Sequence, residues 1–239
     1  MNLITELEKF VSGVRWELLH GGRIAVWDSS VQPSLDVLLT GVSDAAKLRS
    51  ESIKHEARRK EWVAARALSR HLTGYEPEET AVGYPVWPDS WLGSISHKAG
   101  HVALWLAQNP ILRCGIDLEE SRQFELEMSK KIMNDHEIGL ANRFIGINSS
   151  SLVFSAKEAV YKALCPLVGR KFYFEAVYLD DVAGGGDQFI LKFIVTERLS
   201  SLVPKGDVIN VAAKSISLAN TQHWLTLAFY QSYGQSTFS

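Results

Sequence analysis

Glu158 and Lys162 stand four residues apart in a stretch, residues 151–167 (SLVFSAKEAVYKALCPL), that reads as a helix with two distinct faces. At about 100° of rotation per residue, Leu152, Val153, Ala156, Ala159, Val160, Ala163, Leu164 and Leu167 fill an arc of roughly 140°, a core-facing stripe. Ser151, Ser155, Lys157, Glu158, Tyr161, Lys162 and Cys165 occupy the remainder. Phe154 falls in the middle of that polar arc, so the second face meets another part of the fold or a ligand. A Glu–Lys pair at i,i+4 is by itself ordinary helix surface, worth about 0.3–0.5 kcal/mol. It gains meaning from residues upstream.

In CGIDLEE, Asp117 and Glu119 are two apart at a strand end, and the period-2 pleat places both on one face, roughly 7 Å apart. Such acids either point into water or, when buried, raise each other's pKa until a cation relieves them. Mg²⁺ suits that task, since it takes one or two carboxylates and fills its other positions with water or phosphate oxygens. In GSISH (residues 93–97), Ser96 and His97 precede a bend from which a hydroxyl and an imidazole can reach outward. Arg58-Arg59-Lys60 and Arg66 supply positive charge: Arg59 and Arg66 share a helix face, and Arg58 and Arg66, about 80° apart, converge on a bulky anion. The planar guanidinium fork suits phosphate. Acids for a metal, bases for a polyanion and a Glu–Lys face together describe displacement at phosphorus, where positioning and charge neutralisation dominate.

The elements that must carry these residues follow from patterning. Residues 22–28 alternate as a strand. Residues 45–72 lack Gly and Pro and predict a long helix, capped by Ser43 or Asp44, ended by Gly74 and breakable near Ser50. Residues 76–90 contain three prolines and read as a loop. Residues 91–96 and 101–107 form a hairpin around Lys98-Ala99-Gly100, and 112–118 a third strand. Residues 125–145 suggest one or two short helices before the helix at 151–167, and the tail predicts strands at 174–179, 189–196, 208–218 and 224–230 with a turn at 184–187. The sum is an α+β fold of two similar lobes, residues 1–109 and 110–239, each a small antiparallel sheet on a long helix, joined near Asn109-Pro110.

Composition narrows the function classes. The 239 residues are 46% hydrophobic, enough for a core, and 25 Lys plus Arg against 27 Asp plus Glu give a net charge of −2. That balance argues against general nucleic-acid or membrane-surface binding. Cys114 and Cys165 form no CxxC pair, so neither a disulfide framework nor a zinc site is expected. The opening MNLITELEKF lacks the basic and apolar regions of a leader, and no apolar run reaches the roughly 20 residues that span a bilayer, so a cytoplasmic protein is expected.

GIDLE (residues 115–119) and FSAKEAVYK (residues 154–162), preceded by GSISH, resemble the signature of the 4′-phosphopantetheinyl transferases. FSAKE is similar to the enterobactin-synthetase-associated branch of the long, single-chain group that includes the surfactin-synthetase-activating enzymes. RRKEWVAAR (residues 58–66) and GYPVWP (residues 83–88) look like the same group. The resemblance spans positions 58 to 162, and implies two similar lobes in a pseudo-two-fold arrangement with the active site in the cleft between them. It implies that Asp117, Glu119 and Glu158 hold Mg²⁺, or Mn²⁺ in its place. Lys157 and Lys162 would contact the coenzyme A diphosphate, Ser96 and His97 its phosphates, and Arg58 and Arg66 the phosphoadenosine end. Two departures stand out. The loop at 76–82 is acidic (EPEETAV) where family members often carry a basic contact, and Phe154 stands where other branches have Trp.

The implied reaction moves 4′-phosphopantetheine from CoA to a serine of an apo acyl, peptidyl or aryl carrier protein, releasing adenosine 3′,5′-bisphosphate. Glu158 would take the serine proton, directly or through a metal-bound water, while Lys162 and His97 stabilise charge on the diphosphate. The expected protein is a monomer that serves carrier-protein activation and binds neither nucleic acid nor membrane, with Lys130, Lys131, Arg143, Arg170 and Lys171 as candidates to receive an acidic carrier helix. A metal-dependent phosphodiesterase or nuclease is the alternative enzyme class, and a non-catalytic carrier-protein adaptor a third reading.

Overall fold

A computed structural model describes residues 14–19, 22–28, 30, 33–88, 90–108 and 112–231. The N-terminal MNLITELEKF segment and the expected junction at Asn109-Pro110 lie outside the described residues. The chain divides into two compact units, Met1–Pro110 with Leu218–Asn220, and Ile111–Ser217 with Thr221–Ser239.

The first unit contains strands β1 (Val14–Leu19) and β2 (Gly22–Trp27), helices α1 (Leu35–Thr40), α2 (Asp44–Glu51) and α3 (Glu56–Thr73), a two-residue ladder of β3 (Glu78–Glu79) with β4 (Pro85–Val86), and the hairpin β5 (Trp91–Lys98) and β6 (His101–Gln108). The sheet runs β1-β2-β6-β5, antiparallel throughout. Trp62, Val63, Ala67 and Leu68 of α3 are buried with Trp27, Leu104 and Leu106 of the sheet.

The helix expected over 45–72 is broken near Ser50, where the sequence allows a break, into α2 and α3. Ser50 Oγ and Ser52 Oγ donate to the carbonyls of Lys47 (2.7 Å) and Arg49 (2.8 Å), while Ser52 N and Ile53 N turn back three residues to Arg49 and Ser50. Local serine bonds of this kind compete with the i→i−4 ladder, and the chain restarts at α3. Gly74 ends α3 at φ 77°, its N–H on the Arg70 carbonyl. The β5–β6 turn is tighter than the three residues expected. Lys98 pairs with His101, and only Ala99 (φ 51°) and Gly100 (φ 84°) lie between them; two consecutive positive φ values give the type I′ geometry that matches strand twist.

The second unit contains β7 (Arg113–Glu120), α4 (Leu126–Ile132), α5 (Asp135–Phe144), α6 (Ser149–Val168), a 3-10 turn at Phe174–Ala176, and strands β8 (Val177–Gly185), β9 (Gln188–Val195), β10 (Val208–Leu218) and β11 (Thr221–Tyr230). Its sheet runs β7-β11-β10-β9-β8. The architecture is therefore α+β with antiparallel sheets. The strand expected at 174 begins at Val177 instead, because the 3-10 turn uses the residues before it.

α6 lies directly on β7. Leu152, Val153, Ala156, Ala159, Val160, Ala163 and Leu164 are at most 1% exposed, and each buried Leu or Val contributes about 1.5–3 kcal/mol. The closeness has one cause in the sequence. A Cβ on Gly115 would sit 1.9 Å from the Ala159 carbonyl oxygen and 2.6 Å from the Ala163 nitrogen. Both obstacles are main-chain atoms held in the helix ladder, so no side chain can move aside. Gly115→Ala is expected to cost about 3 kcal/mol or more, which a thermal melt should read as a fall of roughly 6–12 °C.

Candidate active site

On β7 the alternation that points Gly115 at α6 points Asp117 and Glu119 the same way, and both are buried, at 6% and 5% exposed. Across the ladder they sit opposite Thr226 and Trp224 of β11. From α6, Ser155 donates to Asp117 Oδ2 at 2.8 Å and Lys162 Nζ lies 2.7 Å from Asp117 Oδ1. Thr226 Oγ1, 2.9 Å from Ser155 Oγ, donates to the Ser155 carbonyl at 3.0 Å and ties β11 into the same network. Ser155, Glu158 and Lys162 recur at intervals of three and four, so one helix face presents all three to the strand.

The pKa of Glu158 is held above the ordinary carboxylate range. Burial is the largest cause; Lys162 opposes it, and the negative charges of Asp117 and Glu119 add to it. Three acids from two elements therefore feel one another, with an ammonium among them. Among the described residues, no three His, Cys, Asp or Glu side chains converge as an ion's ligands; Asp117 meets Ser155 with one oxygen and Lys162 with the other. Asp117, Glu119 and Glu158 are nonetheless oxygen donors of the kind a hard divalent cation takes, and the charges of Asp117 and Glu119 add to the burial that raises the pKa of Glu158.

Lys157 departs from its expected role. One step of 100° turns it away from Glu158, and its side chain is 1% exposed. Its ammonium pairs with Glu137 Oε1 at 2.8 Å and donates to the carbonyls of Ile132 (2.8 Å) and Phe174 (3.3 Å). Glu137 also accepts the N–H groups of Leu179 and, through a capping box, of Asn134. A diphosphate contact is corrected to a buried ion pair joining α6 to α5 and β8. The pair borders a cavity of about 190 Å³ that Lys130, Lys131 and Tyr178 also line. Phe154, expected to meet a neighbour, lies 5.7 Å from both the Phe124 and Phe174 rings.

The remaining candidates belong to the first unit. Ser96 and His97 cannot both project from one side of β5, since adjacent strand residues face opposite ways. His97 Nδ1 meets Glu61 Oε2 of α3 at 2.9 Å, whereas Ser96 is buried. Arg58 is exposed on the first turn of α3. Arg66 is 6% exposed, with its guanidinium carbon 3.4 Å above the Trp62 ring, and burial lowers its pKa to about 10. Glu79 of the acidic loop stands 3.7 Å from Arg66 and 4.0 Å from Arg49, while Glu76 accepts from Ser43 N and Oγ. The acidic loop thus neutralises arginines of α2 and α3.

Ser155, Thr226, Glu61 and Glu137 are absent from the sequence candidates. Asn134-x-x-Glu137 is a legible capping box, and Ser155 stands one turn before Glu158 on the same helix face; nothing local marks Thr226 or Glu61.

The second unit is an α+β unit whose long helix brings a glutamate and a lysine over a strand bearing two further acids. Residues 113–206 match the 4′-phosphopantetheinyl transferase superfamily. The chain is 33% identical over 153 residues to enterobactin synthase component D of Salmonella typhimurium (60% of this chain, 62% of that protein). It is 31% identical over 133 residues to the 4′-phosphopantetheinyl transferase Npt of Nocardia iowensis (52% and 60%), and 27% over 169 residues to PptT of Mycobacterium tuberculosis (66% and 74%). It therefore spans about three fifths of the length of the first two relatives. No helix among the described residues is long and apolar enough to cross a membrane.

Proposed function

We propose that the protein transfers the 4′-phosphopantetheine arm of coenzyme A to a serine of an apo carrier protein, with Mg²⁺ and release of adenosine 3′,5′-bisphosphate. The observation that carries this is the meeting of two elements: Glu158 and Lys162 of α6 face Asp117 and Glu119 of β7, with Lys162 Nζ 2.7 Å from Asp117 Oδ1 and the pKa of Glu158 raised by burial and by the charges of the two strand acids. The similarity of residues 113–206 to the superfamily supplies the substrate class.

In the reaction the serine Oγ attacks the phosphorus bearing pantetheine, and the bond from that phosphorus to the bridging oxygen breaks. Glu158 accepts the serine proton, and its raised pKa makes its carboxylate a stronger base than a solvated one. Lys162 stabilises the charge gathering on the departing bisphosphate. Asp117, Glu119 and Glu158 would hold Mg²⁺, which neutralises the diphosphate when bound. Ser155 and Thr226 keep the Asp117 carboxylate oriented.

The test is intact-mass spectrometry of an apo carrier protein incubated with the protein, CoA and Mg²⁺. A gain equal to one phosphopantetheine is expected, and EDTA should abolish it. An unchanged carrier mass across a panel of peptidyl, aryl and acyl carriers would reject the transferase reading.

A further inference from the structure

Glu61 of α3 spends each carboxylate oxygen on a different donor. Oε2 meets His97 Nδ1 at 2.9 Å, and Oε1 accepts the Gly100 N–H at 2.7 Å. The second donor is available because Gly100 sits inside the two-residue β5–β6 turn, where a main-chain N–H has no ladder partner. Burial alone would raise the pKa of Glu61. The His97 and Gly100 hydrogen bonds, with the charges of His97 and Arg58, outweigh it and hold the group below its ordinary range. An ionised carboxylate only accepts, so the imidazole nitrogen facing it carries hydrogen.

We propose that Glu61 is the positioning residue of His97: its carboxylate fixes the imidazole with Nδ1 protonated and leaves Nε2 to take a second proton and, as imidazolium, donate to a phosphate oxygen of CoA. This rests on the transferase reading, in which His97 contacts the CoA phosphates. Three chain segments converge on the one carboxylate: α3, the end of β5 and the hairpin tip. The ring plane is thereby set by main-chain geometry. His97 remains 23% exposed at its side chain while Glu61 is 14% exposed, as expected for a ring anchored at one nitrogen and open at the other.

Glu61→Gln separates orientation from bulk. Glutamine has one acceptor and one donor group where two donors must be met. The rigid Gly100 N–H takes the amide oxygen, the NH₂ is turned to Nδ1, and Nδ1 must give up its hydrogen. The experiment is long-range ¹H–¹⁵N spectroscopy of the full chain labelled at histidine, at a pH where the unliganded imidazole is neutral, paired with steady-state transfer kinetics. Wild type should show the Nδ1–H form of His97, and Glu61→Gln the Nε2–H form. The KM for CoA should rise about tenfold, the scale for losing the outer partner of a ligating histidine, with kcat within about twofold. In a His97→Ala background, Glu61→Gln should add nothing to KM, whereas a merely structural role would add its full effect.

An Nε2–H form in wild type overturns the proposal, and that measurement needs no variant to fold. A tautomer that switches in Glu61→Gln with unchanged KM overturns it too, while transfer itself stands. Absence of any mass gain on carrier proteins overturns the transferase reading and the CoA half of this one, and leaves the tautomer result intact.

Discussion

Glu158→Gln should lower kcat/KM for carrier-protein modification by about 10³-fold or more, the upper part of the range for losing a general base, while the chain stays folded. The substitution keeps volume and removes the carboxylate that faces the strand acids, while Ser155 and Lys162 still tie Asp117 to the helix. Stability should move in the opposite direction to activity. Burial, with Asp117 and Glu119, raises the folded-state pKa of Glu158 above its ordinary value, so between the unfolded and folded values the native state binds the extra proton. Stability conferred by that group is therefore greatest at low pH, declines as pH rises through the folded pKa, and stays reduced above it. The substituted amide carries no such charge, so at pH 7 without Mg²⁺ the variant should melt at the wild-type temperature or higher. Added Mg²⁺ should raise the wild-type melting temperature and raise that of Glu158→Gln less. Near wild-type turnover in the variant would remove Glu158 from the chemistry.

Glu137→Ala carries the largest expected loss of stability. It strands the Lys157 ammonium, whose pKa is already lowered by burial against the opposing pull of Glu137 and Glu175, in a site 1% exposed. Breaking a buried pair by removing one partner costs about 3–5 kcal/mol. The buried N–H of Leu179 loses its acceptor as well, a further cost of about 1 kcal/mol or more, and the exposed Asn134 N–H loses its capping-box partner to water. Urea denaturation should show a midpoint shift of that size. Adding Lys157→Met to Glu137→Ala should recover part of the loss, because no charge then remains buried. A double variant less stable than Glu137→Ala alone would mean that Lys157 contributes through its carbonyl contacts rather than through the ion pair.

The contrast between Glu158 and Glu137 marks where the sequence is legible and where it is not. Asp117, Glu119, Glu158 and Lys162 obey local periods, two on a strand and four on a helix, so their faces follow from counting. The Gly74 stop and the β5–β6 bend are equally local. Lys157 looks like one more polar helix residue until its partner is known. Glu137 lies on another helix, and no period of α6 encodes that meeting. Arg66 shows the same limit, since its partner Glu79 lies in a loop after the helix. Ser96 and His97 show another limit: adjacent strand residues alternate in direction, so the partner of His97, Glu61 on α3, is not written in the strand that carries it. β1 and α1 escape expectation because short segments with weak periodicity draw their stability from the sheet and core they join rather than from themselves.

The absent methyl at Gly115 has a consequence for how such a centre can vary. Main chain rests on main chain between β7 and α6, with no compressible side chain as a gasket. The spacing between the strand acids and the helix glutamate is thus machined by peptide geometry. Saturation libraries at Ala159 and Ala163 should accept only the smallest substituents, while diversity gathers on the outward turns of the same helix.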